Sequence, residues 1–254
     1  MADCCGRCYA PGVFAEFSPQ AATPLSRPLW RVRDMLYGIA LLVASLALIT
    51  AGLVLFRIEG GSRGADIAAG VSTVAFELFF GAAVVWLAYR RGLRAPDLGF
   101  VRPRHWGPAV VAWAGAYAII ALYQLLLFLL ARAGVETGSF QGGNELPVDL
   151  RGSVAVAVIF AVAVVVVAPF SEELFFRALL FRGMQGYWRL WPSMLVSGLA
   201  FGLFHGNLGV IAPFAAIGAL FAWANARTGS LWTSITAHAG VNGLSFALSL
   251  LGTP

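Results

Sequence analysis

Long uncharged runs dominate the chain, and its polar residues gather in the short stretches between them. Such runs occupy residues 35–56, 67–89 (with one charge, Glu77), 107–131, 153–170, 191–206, 208–226 and 231–251. A helix rising 1.5 Å per residue needs about 20 apolar residues to cross a hydrocarbon core of about 30 Å. Most of the runs meet that length, so the pattern predicts an all-α, polytopic transmembrane bundle of about 7–8 helices. An eighth or re-entrant segment would change only the C-terminal end.

Composition closes off the alternatives. Of 254 residues, 59% are hydrophobic and 11% charged, with a mean hydropathy of +0.80, which excludes an ordinary soluble domain. The net charge is +5, and every basic residue is arginine. No basic stripe with interleaved aromatics is present, so nucleic acid is not an expected partner; the lipid bilayer is. The arginines instead orient the spans, because short cytoplasmic loops carry the positive excess. Arg27, Arg31 and Arg33 precede the first run, and Arg90, Arg91, Arg94, Arg102 and Arg104 crowd the loop after the second. The loop after the third run holds Glu136, Glu145 and Asp149 against Arg132 and Arg151. Arg177, Arg182 and Arg189 follow the fourth run, and Arg227 separates the last two. The N-terminus is therefore expected in the cytoplasm. The all-arginine basic set suits a GC-rich bacterium, hence a bacterial plasma (inner) membrane.

The expected organisation is a cytoplasmic tail (1–34), accessory transmembrane helices (35–131), an extracytoplasmic loop (132–152) and a second transmembrane unit (153–251). Cys4, Cys5 and Cys8 all lie in the tail, which rules out a disulfide framework for the body and leaves three thiols expected to be unpaired. Residues 1–30 do not read as a secretory signal, and no cleavage is expected.

Charged groups within a span are costly and mark function by default. Ser171-Glu172-Glu173-Leu174-Phe175-Phe176-Arg177 ends an apolar run that contains Pro169. Glu173 and Arg177 have the spacing and order of an intrahelical ion pair, which leaves Glu172 unpaired and about 100° round the helix. If Pro169 opens a new helical turn, Glu172 lies near a helix N-terminus. Such a carboxylate suits a general base, whereas the alternative is that both glutamates cap a span at the water interface. Phe201-Gly202-Leu203-Phe204-His205 and His238-Ala239-Gly240-Val241-Asn242 are the other polar features, with His238 and Asn242 on one helical face. Glu172 and His205 are 33 residues apart, and a turn at Trp188 to Trp191 would bring them level in a helical hairpin. Glu77, with Ser72 and Thr73 a turn before it, reads as an interhelical contact ahead of a cavity-lining group.

Glu-Glu-x-x-x-Arg at 172–177, Phe-x-x-x-His at 201–205 and His-x-x-x-Asn at 238–242 resemble the three signatures of the CPBP family. This family includes CAAX-prenyl endopeptidases and the bacteriocin-processing or immunity proteins also called Abi. The resemblance covers about residues 153–251, with a weaker likeness at Leu98-Gly99-Phe100. It implies an intramembrane endopeptidase acting on membrane-associated protein or peptide substrates, prenylated ones included. It also implies that Glu172 activates water, His205 orients it, His238 and Asn242 stabilise the oxyanion, and Glu173 and Arg177 support them. Zinc held by Glu172, His205 and His238 is the alternative; without a His-Glu-x-x-His pair the metal-free glutamate mechanism is preferred, with no cofactor. A non-catalytic immunity or scaffold protein, or a small proton-coupled transporter using Glu77 and Glu172, is the rival class. Small-residue pairs such as Gly198 and Gly202 suit packing within or between chains, so the oligomeric state stays open.

Overall fold

The structure is a computed structural model that describes residues 28–55, 62–143, 148 and 150–252. Among these residues there is no strand, and seven helices follow one another: α1 (Val32–Leu55), α2 (Arg63–Arg90), α3 (Gly107–Arg132), α4 (Val154–Gln185), α5 (Leu190–Phe204), α6 (Leu208–Thr228) and α7 (Leu231–Leu251). Five of them, α1 to α4 and α6, are long and apolar enough to cross a membrane. The chain is an integral membrane protein. The sixth and seventh expected spans differ in kind: α5 has only 15 residues, and α7 has 21 but carries Thr233, Ser234, His238 and Asn242. Cys4, Cys5 and Cys8, with Glu145 and Asp149, lie outside the described residues.

The fourth helix departs most from the pattern. Pro169 does not open a new helix, and Glu172 is not at a helix N-terminus: α4 runs unbroken from Val154 to Gln185. Proline lacks an N–H and its ring clashes with the carbonyl four residues back. Here a π-helical turn at Val162–Val167 directly precedes the proline segment, shifting the register where the clash would fall. A second π-helical stretch, Leu174–Phe181, follows the two glutamates. Glu172 and Glu173 thus sit on the one short α-helical piece between two register shifts.

Close contacts give the helix directions. Gly70 meets Ile159 and Phe160 while Gly81 meets Ser171, so α2 runs parallel to α4. The Asn242 amide donates to the Val164 carbonyl and His238 meets Glu173, so α7 runs antiparallel to α4. Gly198 and Gly202 let α5 and α6 approach until a methyl at either position would strike the facing backbone at Ala215 or Ile211. That stripe therefore packs helices within this chain. The helices alternate in direction, as short loops require.

At one end of the bundle, the connections that arginine counting placed on one side lie together. Leu231 donates its N–H to Gly99 O at 2.7 Å, and Ser230 Oγ donates to Val101 O. Arg182, at the end of α4, donates to the Asp97 and Gly229 carbonyls and to Asn225 Oδ1. Trp30 is fully buried there and donates its indole N–H to Ala178 O at 2.7 Å. The last residues of the expected tail thus belong to the packed body.

Candidate functional site

The centre of the site is a chain of polar contacts running from α6 through α4 to α7. Arg177 Nη2 donates to the Gly218 carbonyl at 3.0 Å, and Arg177 Nε pairs with Glu173 Oε2 at 3.1 Å. Glu173 Oε1 lies 3.1 Å from Nδ1 of His238, which donates to it because a carboxylate only accepts. Glu173 and Arg177 are fully buried and His238 almost so. Charges so placed are tolerable only when paired. Aromatic rings complete the enclosure: the guanidinium lies 4.7 Å from the Phe201 centroid and 5.5 Å from that of Phe221, which stacks on His238. The ion pair read from the spacing of Glu173 and Arg177 is present.

Glu172 is the opposite case. Its Oε2 is buried without a hydrogen-bond partner and lies 3.9 Å from Nε2 of His238. That gap is too long for a hydrogen bond. The His238 ring therefore faces both glutamates, bonded to one and separated from the other. Glu77 on α2 is also buried, with its Oε2 unpartnered. Thr73, a turn before it, spends its hydroxyl on the Ala69 carbonyl.

His205 and Asn242 sit further out. His205 lies at the end of α5, where its Nδ1 is 2.9 Å from the Phe201 carbonyl and must carry the proton, since a carbonyl only accepts. In the neutral ring Nε2 then has a free lone pair. Among the described residues His205 and Glu172 share no hydrogen bond or ion pair; the Phe201 ring, 4.9 Å from His205 and 5.5 Å from His238, stands between the histidines. Asn242 Nδ2 donates to Val164 O at 2.8 Å, a carbonyl in the first π-helical turn, which leaves one amide hydrogen uncommitted.

Glu172, Glu173, Arg177 and His238 are thus brought together, with His205 and Asn242 on the margins. Among the described residues no three His, Cys, Asp or Glu side chains are grouped so as to hold a metal ion. Sequence reasoning missed the enclosing role of Phe201 and Phe221 and the position of Glu77. Only the Phe-x-x-x-His spacing signalled the first, since it puts a ring one helical turn from the histidine.

Residues 154–244 match the family described as type II CAAX prenyl endopeptidase Rce1-like, a stretch that holds all seven motif residues. "Putative membrane peptidase YdiL" of Bacillus subtilis (strain 168) is 32% identical over 77 residues, 30% of this chain and 32% of that protein. The match thus spans about a third of the relative's length. No solved structure matches the chain significantly. Both comparisons agree with the resemblance drawn from the three motifs, and the family match falls on α4 to α7.

Proposed function

We propose that the protein is an intramembrane endopeptidase that hydrolyses peptide bonds of membrane-associated proteins or peptides with water activated by Glu172, without a metal. The observation that carries this reading is the buried Glu172 carboxyl, unpartnered and facing His238 across 3.9 Å, within the Rce1-like segment. Glu172 takes a proton from water as the water oxygen attacks the peptide carbonyl, and passes it to the leaving amine as the C–N bond breaks. His205, through its free Nε2, orients the water. The uncommitted Asn242 hydrogen meets the developing oxyanion, together with His238 when its Nε2 carries a proton in addition to the one Nδ1 gives to Glu173. Glu173 and Arg177 hold His238 in place. The N-terminus faces the cytoplasm of a bacterial cell, by the arginine distribution.

The test is cleavage of membrane-anchored and prenylated fluorogenic peptides by the reconstituted protein, with Glu172→Ala and exhaustive chelation as arms. Turnover that survives chelation and falls about 100- to 10,000-fold in the variant is the expected result. Loss on chelation with rescue by zinc would replace the metal-free mechanism, and equal, negligible turnover by both proteins would favour a scaffold or a proton-coupled transporter.

A further inference from the structure

Glu77 lies outside the family match and outside the three motifs, and it remains unexplained as a contact. Its helix buries a continuous stripe of Gly70, Glu77, Phe80, Gly81, Val84 and Leu87. Gly70 rests on Ile159 and Phe160, and Gly81 rests on Ser171, the neighbour of Glu172. Glu77 lies on the same face between these two contacts, so the stripe delivers it to α4 one helical turn before the Ser171 level, on the approach to the glutamate pair. The flanking rings fix that placement from another side: Phe80 lies tilted against Phe175 at 4.6 Å and stacks on Phe204 at 5.8 Å, and Phe76 lies 6.3 Å from Phe204, next to His205.

The chemistry of the position is informative. A carboxyl serving only to join helices would be expected to find a donor, because a buried polar atom without one destabilises the fold. Glu77 Oε2 has none, and neither has Glu172 Oε2, although Arg177 and His238 are used by Glu173 nearby. Two unpartnered carboxyl oxygens delivered to one compartment by different helices leave polar capacity for something not otherwise bonded there. Water is the ligand whose two hydrogens and two lone pairs suit such a gap.

We propose that Glu77 is a positioning residue of the Glu172 site, holding the attacking water and the Glu172 carboxyl in register from α2. This rests on the endopeptidase reading. It makes α2 part of the functional unit, which then extends beyond the four helices of the family match.

The experiment compares the full-length protein with Glu77→Leu, Glu77→Gln, Glu172→Leu and the double variant Glu77→Leu/Glu172→Leu, measuring peptide turnover and thermal unfolding in detergent. Leucine fills the space without polar atoms, whereas glutamine keeps hydrogen-bonding atoms at the same reach. In Glu77→Leu, kcat is expected to fall about 10- to 100-fold with KM within about twofold, and the melting temperature to hold or rise. Glu77→Gln is expected to recover most of the rate. Unfolding of the double variant should be non-additive, because each substitution relieves the other carboxyl. A Glu77→Leu enzyme with wild-type kcat overturns the positioning role, even while Glu172→Leu is inactive. Additive melting shifts overturn the shared compartment whether or not a cleavable peptide is found. No turnover by the wild type would remove the endopeptidase reading and the positioning role together. Should Glu77→Leu fail to fold, Glu77→Met takes its place with the same expected outcomes.

Discussion

The two sides of the His238 ring are built in opposite ways. On the Nδ1 side Glu173 is bonded to histidine and paired with Arg177, whose guanidinium reaches on to the Gly218 carbonyl and lies over Phe201. On the Nε2 side Glu172 stands 3.9 Å away with an oxygen unpartnered. Adjacent residues of identical chemistry thus differ in their partners: Glu173 has an ion pair and a histidine hydrogen bond at 3.1 Å each, whereas Glu172 Oε2 has no hydrogen bond. On the proposed mechanism the first contributes rigidity and the second reactivity, because a carboxyl oxygen without a fixed partner is free to bond water.

Arg177→Met is expected to break the satisfied side outright. It strands the buried Glu173 charge, so unfolding in detergent should show a loss of about 3–5 kcal/mol. A smaller effect is expected from Asn242→Ala, which removes the donor to Val164 O and frees the π-helical turn beneath the unsatisfied side. A stability loss of about 1–3 kcal/mol should come with reduced turnover. Ser197→Ala removes a bond to Phe176 O made by a fully buried hydroxyl that touches neither carboxylate. Its melting shift should correspond to about 1 kcal/mol with turnover unchanged, which separates loss of packing from loss of function.

Helix positions were the most legible feature, because apolar length reports them directly. The turn read between Trp188 and Trp191 falls where α4 ends at Gln185 and α5 begins at Leu190. The Glu173–Arg177 pair was legible for the same reason, being local to one helix. The course of α4 through Pro169 was not, since a π-helical register shift leaves no periodic mark in a run made almost entirely of valine and alanine. Nor was the Phe201 ring between the two histidines, because counting along helices gives height and not azimuth. Glu77 read as a helix contact in sequence ahead of a cavity-lining group; that its helix packs along α4 through Gly70 and Gly81 is a tertiary fact which no pattern within α2 reveals.

The most direct measurement is melting temperature and turnover, side by side, for Glu172→Gln and Glu173→Gln in the same proteoliposome assay. Glu172→Gln is expected to melt with the wild type and to lose turnover about 100-fold or more, while Glu173→Gln should melt several degrees lower. A Glu172→Gln protein that keeps its turnover, or one that unfolds as readily as Glu173→Gln, would contradict the division of labour between the two glutamates.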